Sequence, residues 1–186
     1  MTILNSVATD LDEIFRLYAI ATAYQKERSP VYWPEFDRAM VETEIRENRQ
    51  WKLVENGETL CIWATTFSDP QIWGERNADP SVYIHRIATN PQYRGRKFVN
   101  DIVAWARGHA RQYGKQYIRL DTVGDNRKLI ELYTGCGFTF LGLFQLTDTA
   151  GLPAHYDNAV VSLFEMEAMP AIEKSEGLSL LKTTVD

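Results

Sequence analysis

The chain has 186 residues, of which 45% are hydrophobic and 24% charged, and a formal charge of −5 at pH 7. These values are typical of one globular domain and exclude a disordered chain or a collagen-like repeat. The apolar runs fall far short of the ~20 residues that span a membrane. The N-terminus lacks the basic and apolar regions of a secretory signal, and two cysteines cannot form a disulfide framework or a structural zinc site. We therefore expect a soluble, cytoplasmic protein.

Basic residues are concentrated in one part of the chain. Residues 86–119 contain eight Lys or Arg and one acidic residue, a net charge of +7 in a chain that is acidic overall. The overall acidity argues against a nucleic-acid partner. Two interpretations of the basic stretch stay open. It is either a solvated helix surface, as such runs usually are, or a binding site for a small polyanion.

Hydrophobic periodicity and turn residues predict the elements of the first half of the chain. They are, in chain order, a strand (2–7), a helix (9–28), an aromatic linker (31–34), a charged helix (35–48), two strands (51–54 and 59–67) and a loop (68–80). The two strands flank Glu55-Asn56-Gly57-Glu58, and Asn-Gly between strand-like runs is a strong hairpin signal.

Strands and helices alternate in the second half. Its predicted elements are a strand (81–89), a helix (97–113), a strand (116–121), a helix (126–136) and two strands (138–146 and 158–167). The whole pattern predicts an α+β fold, a mixed αβα arrangement of helices against one sheet, in a single domain over residues 1–168. Residues 169–186 show no period, and we expect a weakly ordered C-terminal tail there.

The junction between the strand at 81–89 and the following helix carries a candidate anion site. It reads Asn90-Pro91-Gln92-Tyr93-Arg94-Gly95-Arg96-Lys97-Phe98-Val99. A helix N-terminus presents free backbone N–H groups and the positive end of the helix dipole, so it attracts phosphate. Gly95 permits a tight turn close to a ligand, and three basic side chains add positive charge. The segment predicts a pyrophosphate site.

Two segments resemble the signatures of the GCN5-related N-acetyltransferase (GNAT) superfamily. The first, Arg94 to Val99, follows His85-Arg86-Ile87-Ala88-Thr89 and resembles the family's Arg/Gln-x-x-Gly-x-Gly/Ala loop around the pyrophosphate of acetyl-CoA. The second has an Asn at a helix start, a Tyr seven residues later and Gly-Phe before a strand. It reads Asp125-Asn126-Arg127-Lys128-Leu129-Ile130-Glu131-Leu132-Tyr133-Thr134-Gly135-Cys136-Gly137-Phe138. The resemblance is specific across residues 80–140, and Lys97 and Val99 stand where the family has small residues.

The resemblance implies a single GNAT-like domain, whose mixed sheet is mostly antiparallel with a parallel pair at its centre and has helices on both faces. It also implies acetyl-CoA as co-substrate. In this family the strand backbone before the loop pairs with the pantetheine arm like an added strand. The residues implied to bind the cofactor are Ile87, Ala88, Thr89, Arg94, Gly95, Arg96, Lys97, Phe98, Val99, Asn126 and Tyr133.

The resemblance also implies catalytic roles. Tyr133 has the position of the family's general acid, whose phenol protonates the departing thiolate; its alternative is a plain core tyrosine. Many family members carry a carboxylate base on the strand at 81–89, which has none here. His85 is the first candidate for the base, because its ordinary pKa lies near neutrality, and Asp121 is the second. A lone strand histidine is also commonly structural.

An acceptor pocket is expected from the linker at 31–34 and the loop at 68–80. Tyr32, Trp33 and Trp73 lie there, and aromatic side chains can enclose an apolar or cationic ligand. Tyr83, on the adjoining strand, is a candidate to hold a water. The alternative is that the two tryptophans close the edge of the core. Four nearby carboxylates are candidates to attract an amine, although surface carboxylates need no such reason. They are Glu35, Asp37, Asp69 and Glu75.

The function that follows is direct transfer of an acetyl group from acetyl-CoA to a primary amine in a ternary complex. A small-molecule acceptor is expected rather than a protein, with no metal, nucleic acid or membrane partner. The strands after residue 138 offer an edge for a homodimer. Two alternatives belong to other classes, namely an acyl-CoA-binding sensor without turnover and a nucleotide-binding protein that uses the same basic loop.

Overall fold

Residues 1–29 and 31–169 are described by the structure, a computed structural model. Within these ranges the chain forms seven strands and five α-helices. The strands are β1 (Thr2–Asn5), β2 (Gln50–Glu55), β3 (Glu58–Thr66), β4 (Ser81–Thr89), β5 (Tyr117–Val123), β6 (Thr139–Gln145) and β7 (Val160–Glu167). The helices are α1 (Leu11–Lys26), α2 (Arg38–Arg46), α3 (Pro70–Trp73), α4 (Phe98–Gln112) and α5 (Arg127–Gly135).

The strands form one mixed sheet in the order β1-β2-β3-β4-β5-β7-β6. Every neighbouring pair is antiparallel except β4 and β5, which are parallel and lie at the centre. Antiparallel neighbours need only short turns, whereas the parallel pair needs a crossover, which α4 supplies. The structure confirms the predicted fold class, with its central parallel pair and its helices on both faces.

The first hairpin follows directly from its turn residues. Asn56 and Gly57 join β2 to β3, and both have positive φ, at 53° and 83°. A two-residue turn of this kind matches the right-handed twist of the strands, and Asn-Gly tolerates it best. The hairpin expected from the sequence is therefore present.

Alternating side chains of the sheet build a core on each face. On one face, Trp63 of β3 belongs to the cluster that contains Ile102 of α4. On the other, its neighbour Ile62 packs in the cluster that contains Leu17 of α1 and Val41 of α2. The two successive residues join different layers because side chains alternate across a strand.

The central parallel pair is short. β4 pairs with β5 only from Ser81 to Tyr83, against Tyr117 to Arg119, and the described chain shows no further pairing between them. The β5-facing backbone of β4 from 84 to 89 therefore has no strand partner. The two strands part towards their C-terminal ends, and this opening positions the site described below.

A bulge in β4 lies beside this opening. Two steps along β3, from Ile62 to Ala64, match three steps along β4, from Ala88 back to His85. Arg86 lies inside the bulge with φ +51°, a conformation that costs a residue with a Cβ roughly 1–2 kcal/mol.

Arg86 compensates this cost through its side chain. Its guanidinium forms an ion pair with Glu44 of α2, and its Nε donates to the Tyr18 hydroxyl of α1 at 3.3 Å. The bulge is thereby tied to both helices on that face of the sheet.

One predicted segment differs from the structure, and another lies outside the described residues. The loop expected at 68–80 contains α3 and a 3-10 helix at Gly74–Ala78. The weakly ordered tail expected at 169–186 lies outside the described residues from 170 onward, so the domain boundary stays a prediction. No helix in the described ranges is long and apolar enough to cross a membrane.

Arg119 belongs to the basic stretch, but it lies inside the protein, with 1% of its surface exposed. Its guanidinium donates to Glu165 of β7 and to Asp79 just before β4, both at 2.7 Å. It also donates to the carbonyl oxygen of Arg76. Buried charges are tolerated only with such partners, and these partners anchor the 68–80 segment to β5 and β7.

We predict that Arg119→Met lowers the free energy of unfolding by about 2 to 4 kcal/mol, because it leaves the partner carboxylates without their cation. Urea unfolding measures the change. Arg46→Met on the exposed side of α2 is the matched control and should shift the unfolding free energy by less than about 0.5 kcal/mol. Equal stability of Arg119→Met and wild type would contradict the anchoring role.

Candidate active site

A cavity of about 450 Å³ opens where β4 and β5 part. Its wall includes residues of the linker between α1 and α2, of β3, β4 and β5, of the 68–80 segment, of α5, and of the segment between β6 and β7. A cavity of this size at the ends of diverging strands is typical of a small-molecule site.

The loop that leads into α4 lies at one end of this opening. Asn90 Oδ1 accepts a hydrogen bond from the Gln92 backbone N–H at 3.3 Å and starts the turn. Gly95 has φ +87°, and a Cβ at this position would have no atom within 4 Å. Glycine is therefore required by backbone conformation and not by crowding. Lys97 is also left-handed, with φ +56°, so one of the positions that is small in the resembled pattern has a conformation that favours glycine.

The basic side chains of this loop are exposed, but two of them already have partners. Arg96 Nη1 donates to Glu55 Oε2 at 2.9 Å, and the Arg94 guanidinium lies 4.2 Å from the ring centroid of Tyr24. Glu55 is also the group that raises the pKa of Arg96 through their hydrogen bond. The loop thus presents positive charge next to a helix N-terminus, where phosphate binds. In the first turn of α4, Phe98 is buried in the core, and Val99 is partly buried and packs against the same core.

The open edge of β4 continues from the loop towards the cavity. Ile87 lines the cavity wall, Ala88 is buried against α1 and α2, and Thr89 Oγ1 donates to Cys61 Sγ at 3.7 Å. Because this stretch has no partner on its β5 side, its backbone groups are available to an extended ligand.

The start of α5 approaches the same cavity. Asn126 Oδ1 accepts hydrogen bonds from the backbone N–H groups of Lys128 and Leu129, at 3.2 and 3.3 Å, and so caps the helix. Asn126 and Tyr133 both line the cavity. Tyr133 packs with its ring centroid 5.2 Å from that of Phe164. Burial and the nearby Asp121 raise the pKa of Tyr133, so the phenol keeps its proton at neutral pH.

His85 lies between two aspartates in the cavity wall. Its Nε2 is 3.5 Å from Asp69 Oδ2, and its Nδ1 is 3.9 Å from Asp121 Oδ1. One ligand atom from each of the three residues lies within 4.8 Å of the others. We call these three residues the Asp-His-Asp cluster.

Burial determines the protonation of the cluster. It raises the pKa of Asp69 to about 7, with the charge of Asp121 acting in the same direction, and it raises the pKa of Asp121 to about 6. Burial, together with Arg86 and Arg49, lowers the pKa of His85 to about 3. The imidazole is therefore neutral near pH 7, while Asp69 is close to its titration midpoint.

The segment between β6 and β7 completes this side of the cavity. The Tyr156 hydroxyl donates to Asp121 Oδ2 at 2.8 Å. His155 Nδ1 and Asp69 Oδ2 are buried and have no hydrogen-bond partner in the described chain. Burying an unpaired polar atom costs free energy unless a ligand or water satisfies it.

The four aromatic residues expected at the acceptor pocket divide into two groups. Tyr32 and Trp33 line the cavity, and the Trp33 ring centroid lies 5.7 Å from that of Phe36. Trp73 and Tyr83 are 3% and 0% exposed, and they pack behind the wall in a core cluster. The alternative of a core role, left open in the sequence, therefore fits the position of Trp73.

Asp69 was expected only as one of several carboxylates near the pocket, and no catalytic or binding role was predicted for Tyr156. The pair Asp69-Pro70 is a sign of a helix start, since proline is favoured in the first turn and aspartate just before it. That sign would have placed Asp69 at a defined turn. No local pattern indicates that Tyr156 reaches Asp121, since 35 residues separate them along the chain.

A model of the Acetyltransferase (GNAT) family matches residues 11–138, more than half of the chain. The chain belongs to the GNAT family. Among curated proteins, the uncharacterized N-acetyltransferase YesJ of Bacillus subtilis (strain 168) is 31% identical over 74 residues. That match spans 40% of this chain and 41% of the relative.

Solved GNAT structures share the fold. An acetyltransferase of the GNAT family from Listeria monocytogenes 4b F2365 aligns with a TM-score of 0.70 at 19% identity, covering 89% of this chain and 94% of that one. The putative acetyltransferase yncA from Salmonella typhimurium, solved with its cofactor acetyl-CoA, aligns with a TM-score of 0.65 at 14% identity, covering 91% and 95%.

Acetyl-CoA is the cofactor of the GNAT family. The residues present here fit it in three respects. The basic loop suits its phosphates, the open edge of β4 suits its pantetheine arm, and the left-handed Gly95 keeps a side chain away from the loop's surface. Within the basic stretch the loop is the part that fits the phosphates of acetyl-CoA, whereas Arg119 is buried and stabilises the fold.

We predict that Arg94→Ala and Arg96→Ala each weaken acetyl-CoA binding by about three- to ten-fold, the loss of one exposed phosphate contact. Isothermal titration at two salt concentrations measures the effect. Wild-type affinity should fall as salt rises, because the contacts are screened.

Arg46→Ala, on α2, is the control and should bind acetyl-CoA like wild type. Affinity that does not depend on salt, or variants with wild-type affinity, would contradict a phosphate-binding role for this loop.

Proposed function

We propose that this protein is an N-acetyltransferase that moves an acetyl group from acetyl-CoA directly to a primary amine, with both substrates bound at once. The observation that carries the proposal is the continuity of the cavity. The same cavity is lined by Ile87 and Tyr133, next to the edge of β4 suited to pantetheine, and by the aromatic residues Tyr32 and Trp33. Acetyl-CoA supplies the thioester, and an amine entering from the aromatic side would meet it without a covalent enzyme intermediate.

Tyr133 is proposed as the general acid. It lies in the cavity wall on α5, and burial and Asp121 keep its phenol protonated at neutral pH. A protonated phenol can donate its proton to the thiolate as that leaving group departs. The proposed binding role of Asn126 is compatible with its cap, because its Oδ1 accepts from the backbone of α5 while its amide NH₂ has no hydrogen-bond partner within the described residues.

The base that accepts the proton of the amine is proposed to be one of the residues that line the cavity. His85 and Asp121 were the two candidates in the sequence, and both line the cavity. A histidine whose pKa lies at about 3 is a weak proton acceptor, so the carboxylates beside it are favoured.

The acceptor is proposed to be a small molecule. The cavity volume of about 450 Å³ suits a molecule of a few to about twenty heavy atoms. The linker at 31–34 and the segment between β6 and β7 line its acceptor side, and this lining supports a small acceptor. Cytoplasmic location and a homodimer through β6 stay predictions of the sequence.

Thermal shift with acetyl-CoA, CoA and ATP, followed by thiol release over a panel of primary amines, tests the function. We expect stabilisation by acetyl-CoA and CoA and release of free thiol with at least one amine. Stabilisation without thiol release from any amine would favour the sensor, and stabilisation by ATP alone would favour a nucleotide-binding protein.

We predict that Tyr133→Phe lowers kcat by about 10- to 1,000-fold with little change in KM for acetyl-CoA, because the ring still packs and only the proton donor is lost. Steady-state kinetics by thiol release measure both constants. Tyr113→Phe at the exposed end of α4 is the matched control and should retain wild-type kcat. Unchanged turnover in Tyr133→Phe would remove this residue from the reaction.

A further inference from the structure

In the cavity wall the arginines have partners of opposite charge, and two aspartates do not. Arg86 pairs with Glu44, and Arg49 Nη2 lies 2.6 Å from Glu47 Oε2. Each wall arginine thus has a carboxylate partner.

The carboxylates of the Asp-His-Asp cluster lack such partners. Asp69 and Asp121 have ion-pair contacts only with His85 in the described residues, and burial keeps that imidazole neutral. The wall therefore holds two acidic groups with no cation to balance them.

A buried carboxylate without a cation is costly, and Asp69 has a further deficit. Its Oδ2 is buried and lacks any hydrogen-bond partner in the described chain, although its side chain is 9% exposed and lines the cavity. The two oxygens of Asp121 are better satisfied, since Oδ2 accepts from Tyr156. A ligand that carries positive charge and N–H donors would satisfy both aspartates.

We propose that Asp69 and Asp121 bind the acceptor amine in its ammonium form, and that Asp69 is the base that removes its proton. The proposal rests on the acetyltransferase function above. It assigns the acceptor to the class of cationic alkylamines that carry no carboxylate near the reacting nitrogen, because a carboxylate there would lie against two uncompensated acidic groups.

The geometry separates the roles of the two aspartates. Asp121 is held by Tyr156, and only 1% of its side chain is exposed, so it acts through its charge on the ammonium. Asp69 Oδ2 has no hydrogen-bond partner in the described chain, with His85 Nε2 3.5 Å away, and the Asp69 pKa of about 7 matches a base that works near neutrality. The Asp121 charge contributes to this value, so the second aspartate also strengthens the first as a base.

The reaction balances with these residues. The ammonium gives one proton to the Asp69 carboxylate, and the freed lone pair attacks the thioester carbonyl carbon. The C–N bond forms and the C–S bond breaks, with the electron pair leaving on sulfur. Tyr133 donates its proton to that thiolate and regains one from the second N–H of the amine. Asp69 then releases its proton to solvent, so one proton is set free for each amide formed.

Groups from every neighbouring element face Asp69, and few of them titrate near pH 7. Burial keeps His85 and His155 neutral, with pKa values of about 3 and about 4, and it keeps Tyr156 protonated. The remaining charged groups are Arg86 on β4, Asp121 on β5, Glu44 on α2 and Arg49 before β2. Asp121 has a pKa of about 6, close to that of Asp69. We therefore expect kcat/KM to fall as the pH drops below about 7, because the base is then protonated.

The first test is Asp69→Asn, which keeps the shape and removes the base. With n-butylamine, 1,4-diaminobutane and 4-aminobutyrate as acceptors, we expect wild type to use the first two and to disfavour the third. Asp69→Asn should lose about 100-fold or more in kcat/KM. Its kcat/KM should also no longer fall as the pH drops below about 7, a fall that we call the acid limb of the pH profile. Stabilisation of this variant by acetyl-CoA should equal that of wild type, which shows that it is folded.

The second test is Asp121→Asn. Because the charge of Asp121 raises the pKa of Asp69, this variant should move the acid limb to lower pH and raise KM for the amine. A merely structural role would lower activity without moving the limb. Asp12→Asn, whose side chain is 95% exposed on α1, removes the same charge outside the cavity and should behave as wild type.

Several outcomes would overturn the proposal while leaving the acetyltransferase function intact. They are wild-type turnover in Asp69→Asn, loss of the acid limb only in His85→Gln, and preference for 4-aminobutyrate. Activity that is lost on chelation and restored by Mn²⁺ or Zn²⁺ would assign the cluster to a metal instead. If no acceptor of the panel is turned over, 1,4-diaminobutane should still stabilise the CoA-bound wild type above pH 7 and not Asp69→Asn; absence of that stabilisation also refutes it.

Discussion

β4 and β5 are hydrogen-bonded along three residues and then separate, and the functional part of the molecule depends on this limit. If the pairing continued, β5 would satisfy the open edge of β4, and no cavity would lie between the strands. The bulge at Arg86 stabilises the separation because it adds one residue to β4 and turns its end away from a regular ladder. Contacts on the sheet face that carries α1 and α2 offset the energetic cost of the bulge, because Glu44 and Tyr18 bind the Arg86 guanidinium there.

Local sequence patterns predicted most of the fold. Asn56-Gly57 is sufficient for the hairpin, and the basic segment before α4 is sufficient to predict an anion site there, because both depend on residues adjacent in the chain. The resemblance implies a bulge at the end of the strand at 81–89, but no local pattern places it at Arg86. Its position depends on the register between two strands and on an arginine in a conformation that its residue type disfavours. The same holds for Arg119, whose burial depends on carboxylates from two other parts of the chain.

The candidate site was predicted in outline, by residue type, but its internal arrangement was not. Tyr133 and His85 both reach the cavity, in agreement with their place in the resembled motifs. The contacts that determine the protonation of His85 come from Asp69, Asp121 and the surrounding burial, and these follow only from the folded chain. The ordinary pKa of histidine led to His85 as the first candidate base, with Asp121 as the second. The folded environment instead favours Asp69, which the sequence offered only as one of several carboxylates near the pocket.

The ion pair between Arg96 and Glu55 has a consequence for how the cofactor is held. Glu55 ends β2, so the hairpin of the sheet and the phosphate loop compete for one guanidinium. An incoming phosphate must share or displace that carboxylate, and it gains less from Arg96 than from a cation without such a rival. Added salt loosens the internal pair as well as the external one. The affinity of the loop should therefore decline with ionic strength less steeply than a count of its three basic residues suggests, and the hairpin acts as a built-in counterion for the cofactor site.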